Sequence, residues 1–584
     1  MLRRVVIGAL LLVLAAGLTT PARASTQVLM PGVTYSRQVQ FTAHGPVVIH
    51  VLVAPKPGGL YSLRPILSNG SILGRERVTS MEKDVSDSAT VAGVNGDFFN
   101  WKDGHPTGIL MQNSVLQNPP YRSRSSIGIA AATGKLTVGR VALYGYWQGL
   151  GQRRPITGLN QPPRGDGTSL FTPVWGARTP ALAGAAEAVL EPFPPATVGD
   201  DLTGTVITQT GNGNTPIPRD GAVLVAHGSQ AAKLISEAPP PARVTVHLVL
   251  RPDWTATGIT DALGGGPVIV RNGRAVYTAG EDFLPSQVAP RDPRTGVGQR
   301  RDGKIVLVVV DGRQPGYSVG LTNFELAQAL ARFGAVTGSA LDSGGSSTMA
   351  FDGKLLNRPS DPSGERVVAE TLAVTYTGVY APPPALPVIS PNGDGIDERQ
   401  TLSYKVVRPS TVNASIVEPD GSTAYSESGT ARLPGLYKVT WPGARAKRRH
   451  LQAQTLGRWR WVVNATDDQG KTSSVERGFW VNDTLGFLRV SPKAIKLRAK
   501  RRNAVVARFR VAHSARVIGS IWTRSGVLVR RLRPVKLKPG VRALRWDGRY
   551  ASKRLAYRGT YVFKVFAQNA YGPVQLAQAF VVLR

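Results

Sequence analysis

A stretch of the chain repeats itself with an offset of 105 residues, and this constrains the fold more than any other feature. Ser415-Ile416 recurs as Ser520-Ile521, Gly421 as Gly526, Pro434-Gly435 as Pro539-Gly540, and Trp441-x-Gly443 as Trp546-x-Gly548. Gly457-Arg458-Trp459 then pairs with Gly559-Thr560-Tyr561 after a three-residue slip. A register held over so many Trp and Gly positions means one module used twice. Short alternating apolar and polar runs separated by turn residues predict two antiparallel β-sandwiches, at residues 389–482 and 483–584. Pro382-Pro383-Pro384 and Pro387 mark residues 381–388 as a stiff, polyproline-like linker in front of them.

The rest of the 584-residue chain is far too long for one core with those modules. Residues 25–380 read as one large β-rich mixed unit. Val47 to Val53 and Ile305 to Val310 are apolar enough for buried strands. After Gly320-Leu321, Thr322 and Glu325 stand at capping-box spacing and open a helix that buries Leu326, Ala327, Leu330 and Ala331 and stops at Gly334. The expected fold class is therefore α+β: a β-rich mixed domain followed by two antiparallel β-sandwiches. Residues 140–250 look β-rich, with Pro/Gly loops near Pro155 to Gly167 and Pro192 to Asp200, and show no recognisable chemistry.

Residues 1–24 have the form of a secretory signal peptide: Arg3 and Arg4, an apolar run from Val5 to Leu18, and Ala22-Arg23-Ala24 as a small-x-small cleavage site. The apolar run is short of the ~20 residues that a spanning helix needs. There is no cysteine, which excludes disulfides, thiolate catalysis and Cys-based zinc sites. A large exported chain without disulfides is expected in a bacterial envelope or secreted from it. Net charge is +34, and Val481 to Arg584 alone carry 24 basic against 2 acidic residues, a net of +22. That surface favours an anionic wall polymer or a membrane surface, and export argues against nucleic acid.

Four islands in the large unit place charge beside glycine at the ends of apolar runs. They are Asn95-Gly96-Asp97-Phe98, Arg294-Thr295-Gly296, Asp311-Gly312-Arg313, and Leu341-Asp342-Ser343-Gly344-Gly345-Ser346-Ser347-Thr348-Met349, the last followed by Asn357-Arg358-Pro359 and Glu365-Arg366. Polar groups at strand ends project from a rigid floor, and consecutive small residues turn backbone N–H groups into one concavity suited to phosphate oxygens. Each island also has a plain reading as a turn, Asp311-Gly312 above all. Glu325 is explained by the cap, and His105 is a lone loop histidine.

Taken together and in this order, the islands resemble the phosphodiester glycosidase family, the family of the lysosomal uncovering enzyme. The resemblance covers roughly residues 75–378, including Gly264-Gly265-Gly266-Pro267, with Ser343 standing where the family usually has another Gly. It implies hydrolysis of a sugar C1–O–phosphate bond within a phosphodiester. The leaving phosphate is already a stable anion, so charge neutralisation by arginine should matter more than proton donation. On this reading Asp342, Asp311 and Asp97 are the catalytic candidates, although Asp97 varies among relatives. Asn95, Arg294, Arg313, Gly344, Gly345, Ser346 and Arg366 would bind substrate. No cofactor is required. The two C-terminal repeats resemble the immunoglobulin-like module of the flagellar hook-capping protein. In their entry motif, Ser390-Pro391-Asn392-Gly393-Asp394-Gly395-x-Asp397-Glu398, Asp394 and Asp397 are candidate ligands of a structural calcium, or members of an Asx-rich turn. A non-catalytic wall-binding protein and an exopolysaccharide-processing protein are the alternative functions.

Overall fold

A computed structural model describes residues 26–276, 280–447, 450–453, 455–498 and 504–583. The signal-peptide segment, 1–24, lies outside the described residues. The fold is β-rich and mixed, with few helices. None of the described helices is long and apolar enough to cross a membrane.

The first unit is organised by an eight-stranded antiparallel sheet. Its central strands are Gly45–Ala54, Ile305–Val310, Arg294–Arg300 and Ala335–Ala340, in that order. Strand alternation decides which side chain meets which layer. Ile305, Leu307 and Val309 face two five-stranded sheets, while Val306, Val308 and Val310 face the helix Asn323–Arg332. The helix begins as expected: Glu325 N donates to Thr322 Oγ1 (3.1 Å) and Thr322 N to Glu325 Oε2 (2.9 Å). Such a cap stabilises by about 1 kcal/mol. Leu326, Ala327, Ala329 and Leu330 form the buried stripe, and Ala331 is only partly covered.

One of the five-stranded sheets contains Thr90–Asn95, Glu370–Tyr376 and Met349–Phe351, and the other contains Ser125–Ala130 and Ile259–Gly264. Residues 142–251 build a second eight-stranded sheet, with Ala142–Gln148 beside Arg243–Arg251 and the helix Ser229–Glu237 packed on it. Its core of Trp147, Leu190, Leu224 and Leu248 is continuous with Ile109, Met111 and Ala130 of the neighbouring sheet.

The repeat is visible in the strand pairing. Val406 opposes Gly435 and Gln400 opposes Trp441; 105 residues later Val511 opposes Gly540 and Val505 opposes Trp546, with no slip. Trp441 packs on Trp459 (4.4 Å between ring centroids) and Phe479, and Trp546 on Tyr561 (5.8 Å) and Phe580. Each module also has one short parallel pairing that alternation did not reveal, Val388–Ile389 on Thr472–Val481 and Ala494–Lys496 on Gly572–Leu583. The linker is no free spacer: Ala381 is buried, Leu386 exchanges two hydrogen bonds with the Gln400 side chain, and Trp480 N donates to Pro387 O. Module one is also tied back to the first unit, by Lys405 Nζ to Ser86 O (2.8 Å) and Arg477 to Leu29 O (3.2 Å), and Arg477 also donates to Ala381 O of the linker.

The entry motif of module one is an Asx-rich turn and a joint. Asp394 accepts from Ile396 N with one oxygen and from Phe487 N of module two with the other (2.7 Å). Asn392 Nδ2 donates to Leu485 O, and Gly395 N donates to Glu398. Asp397 sits at φ 53°. Among the described residues, no group of three or more His, Cys, Asp or Glu is arranged to hold a metal ion.

Candidate functional site

Adjacent strand ends bring the four islands to one edge of the main sheet. Asn95 ends its strand fully buried and joins three of them. Its Oδ1 accepts from Thr295 Oγ1 (2.7 Å) and Thr348 N (3.1 Å), and its Nδ2 donates to Asp342 O (2.9 Å). With its amide engaged inward, Asn95 positions the Asp342 loop from behind and offers little to a substrate.

Asp342 lines a cavity of about 260 Å³ together with Phe98, Trp101, Phe283, Arg294 and Arg313. Its carboxylate accepts from Ser343 N (2.8 Å) and from the Ser346 hydroxyl. Burial pushes its pKa up to about 6, against the opposing pull of those hydrogen bonds and of Arg366 and Arg124. The other carboxylate on this wall, Asp292, is held by Arg313 through two hydrogen bonds, 2.8 and 3.1 Å. Asp342 is thus the carboxylate of the lining with no cation bonded to it.

Asp97 lies behind Phe98, 2% exposed. Gly108 N donates to its Oδ2 (2.7 Å), while Oδ1 is buried without a partner among the described residues. Gly264 leaves room for it, since a Cβ there would stand 1.9 Å from Asp97 Oδ2. Burial raises the Asp97 pKa to about 7, and the Asp342 charge adds to the rise. Beneath it, Glu370 accepts from Asp97 N (3.1 Å), and burial and the Asp97 charge hold its carboxyl well above the usual range. Burial raises Asp97, Glu370 and Asp342 together, and the Asp97 and Asp342 charges oppose further ionisation beside them, so this corner holds protons more tightly than exposed carboxyls do.

Asp311 corrects the expected assignment. It is buried and accepts four hydrogen bonds, from His50 Nε2 (2.9 Å), Tyr317 Oη (3.0 Å), Asn357 Nδ2 (3.1 Å) and Arg358 N (3.0 Å). Asn357 in turn accepts from Met349 N and donates to Ser347 O. All four lone-pair directions of Asp311 are engaged, Oδ2 with His50 and Tyr317 and Oδ1 with Asn357 and Arg358 of the segment after Asp342, so it braces the site from a buried position.

Arg294 is likewise a scaffold. Burial lowers its pKa to about 10. Its guanidinium donates to the carbonyls of Leu321, Gln287, Pro290 and Val288 and, at 3.5 Å, to Ser343 Oγ. It lends positive field to the cavity wall, but its donors are committed. Arg313 lines the same cavity, and Arg366 acts electrostatically on Asp342 without lining it. Arg366 forks onto Asp361 (2.8 and 3.0 Å), reaches Ser346 Oγ at 3.4 Å and lies over the Trp101 ring. Gly345 must be glycine for this, because a Cβ would meet Arg366 Nη2 at 2.0 Å. Gly344 takes φ 67°, gives its N–H to Pro293 O, and leaves space for the Arg313 guanidinium. Ser346 is fully buried between Asp342 and Arg366.

Two participants were not legible as such. Glu370 begins a strand that is buried throughout; the one charge in Glu370-Thr371-Leu372-Ala373-Val374 opposite a glycine-rich island was its only signal. Arg124 is sandwiched over Phe98 (5.1 Å) and Phe283 (4.4 Å), residues far apart in sequence, and acts electrostatically on both Asp97 and Asp342. His105 pairs with Asp103 in a loop outside this cavity.

Comparison with known proteins bears on this edge of the sheet. A hypothetical protein from Synechocystis superposes with a TM-score of 0.52 at 25% identity, covering 60% of this chain and 64% of that one. The catalytic domain of zebrafish N-acetylglucosamine-1-phosphodiester alpha-N-acetylglucosaminidase, auto-inhibited by its pro-peptide, gives a TM-score of 0.32 at 16% identity over 61% of this chain and 86% of that one. The SPbeta prophage-derived uncharacterized protein YomE of Bacillus subtilis (strain 168) is 40% identical over 86 residues, 15% of this chain and 13% of that protein. The chain thus spans 64% of the Synechocystis protein and only a small part of YomE. Residues 199–375 match the phosphodiester glycosidase family model, and Arg294, Asp311, Arg313, Asp342, Arg366 and Glu370 all fall within that segment.

Proposed function

We propose that the chain is an exported hydrolase that cleaves the sugar C1–O–phosphate bond of a glycosyl phosphodiester in envelope or extracellular glycopolymer. The observation that carries this reading is Asp342. It is a carboxylate without a bonded cation on the wall of a cavity framed by Arg313 and Arg294, in the segment that matches the phosphodiester glycosidase model.

With a pKa near 6, Asp342 is mostly ionised at neutral pH and able to take a proton. It acts on the anomeric carbon, or on the water that attacks it. Asp97 keeps part of a proton beside it and limits the negative charge that meets an anionic substrate. The leaving phosphate needs no proton; Arg313 and Arg366 meet its oxygens, with Arg124 and Arg294 adding field from the walls. Trp101, 64% exposed, offers an apolar face to the sugar ring. The C-terminal modules are read as immunoglobulin-like sandwiches, and the +22 of the last one suits an anionic wall polymer or membrane surface.

The test is sugar release from a panel of sugar-1-phosphodiesters, followed by NMR, with wild type and Asp342→Asn. The variant should lose at least about 100-fold in kcat, the scale of a positioned acid–base group, while folding normally. Glycan binding by wild type with no release of any sugar would replace the hydrolase with a lectin.

A further inference from the structure

The largest cavity next to the site shares only Arg124 with the groups assigned a role above. A groove of about 690 Å³ runs between the loops before Ser125–Ala130 and the inserted sheet of residues 142–251. Thr107, Asn118 and Pro119 line it, and its cations are Arg122, Arg124 and Arg164. Among the described residues lining it there is no carboxylate. Two acids beside the lining have partners: Asp103 pairs with His105 (2.8 Å), and Asp282 accepts from Tyr121 Oη (2.7 Å).

Arg124 lines the groove, and its guanidinium stacks on Phe98 and Phe283, which line the cavity of Asp342. The two spaces therefore share a wall. The lining at Asn118 is stiff, because Asn118 Nδ2 donates to Pro106 O (3.0 Å) and Gly108 O (2.6 Å), and Gly108 N holds Asp97. Arg122 is placed by the Tyr144 ring (5.1 Å) and Leu143 O, with much of its guanidinium left to solvent. Arg164 is exposed and within electrostatic reach of the Tyr121 hydroxyl. Three arginines in one lining that contains no carboxylate attract planar multidentate anions, phosphodiesters foremost.

We propose that this groove is a second anion subsite, which receives the next phosphodiester of a repeating phosphate-linked glycopolymer while Asp342 addresses the scissile one. The assignment rests on the hydrolase reading above. The insert takes part directly, since Arg164 comes from the loop between its strands Gly158–Leu159 and Thr168–Phe171, and Arg122 leans on Tyr144 and Leu143 of its sheet. The insert thereby sets preference for multiply charged chains over single phosphodiesters. A volume of this size accommodates one sugar-phosphate unit.

The experiment is fluorescence anisotropy on the full chain with dye-labelled tetra(glycerol phosphate) and a single phosphodiester carrying the same dye, for wild type and the double variant Arg122→Gln/Arg164→Gln. Both side chains are exposed, so the fold should tolerate the change. The tetramer should bind wild type at least about tenfold more tightly than the single phosphodiester, and the double variant should lose that factor while changing the single phosphodiester less than twofold. Unchanged tetramer binding, or an equal loss for both probes, overturns the subsite. A tetrameric deoxythymidine oligonucleotide binding as tightly as the glycerol phosphate tetramer overturns its assignment to a glycopolymer. Sugar release measured in parallel separates the two readings. Selective tetramer binding without hydrolysis defeats the hydrolase and leaves the groove, and hydrolysis with unselective binding defeats the groove alone.

Discussion

Asp97→Asn isolates what the buried carboxyl cluster does to the fold. The group moves from an ordinary 3.8 to about 7 on folding, chiefly through burial. Because the folded value is raised, its contribution is fully present below the unfolded pKa and is lost as pH climbs towards the folded one. At ~1.4 kcal/mol per pKa unit, the cost at pH 7.5 is about 4 kcal/mol, and about 1 kcal/mol of it is already incurred at pH 4.5. Asn keeps an oxygen for Gly108 N and cannot ionise. Whatever fixed penalty its amide brings where Oδ1 had no partner is the same at both pH values and cancels in the difference. Urea unfolding of the first unit should therefore show the variant gaining about 3 kcal/mol on wild type between pH 4.5 and 7.5. Glu370 reinforces the direction, since Asp97 charge is one cause of its raised pKa. A stability difference that stays flat across this range would mean that Asp97 is ionised throughout in the folded protein, and the proton-holding corner would be refuted.

Asp311→Ala should destabilise the first unit by about 3–5 kcal/mol, because it strands His50, Tyr317 and Asn357 inside the protein. Unfolding midpoints report the loss, and sugar release per folded molecule should fall far less than in Asp342→Asn. On module two, Arg489 and Arg508 oppose each other across two strands, with Arg510 close by on the same sheet. Replacing the three by Gln should cut retention on anionic vesicles or wall material and flatten its salt dependence without lowering stability, since directly opposed like charges repel. Cosedimentation across a salt series checks this.

Periodicity made the frame legible. Ile305–Val310, the Thr322 cap and the 105-residue register are local statements about burial and turns, and the structure realises them residue for residue. Strand-end position was a weaker guide to chemistry. Asp311 and Asp342 both follow apolar strands and read alike, yet one turns inward and the other faces a cavity. The distinguishing sign was His50 in the middle of Ile49-His50-Val51, a buried histidine that needs a partner. Arg294 misled for a related reason: its neighbours in sequence do not show that the carbonyls of 287–290 and Leu321 surround it. Arg124 depends on two aromatic rings from separate segments, which no local pattern encodes.

The joint built from Asn392, Asp394 and Asn482 has a geometric consequence if the chain works, as proposed, at an envelope surface. Asn392 and Asp394 of module one bond Leu485 O and Phe487 N at the start of the strand Leu485–Ser491, and Asn482 bonds Gly572 O at 2.8 Å, so bending between the modules breaks hydrogen bonds on both sides of the hinge line. Together with the Arg477 and Lys405 ties at the other end, the pair behaves as a strut whose length is set by the two modules. A protein held by its far end would then sweep its cleft at a set height, and bonds lying closer to or farther from the anchoring layer would escape it. Reach, as much as affinity, would select which linkages are cut.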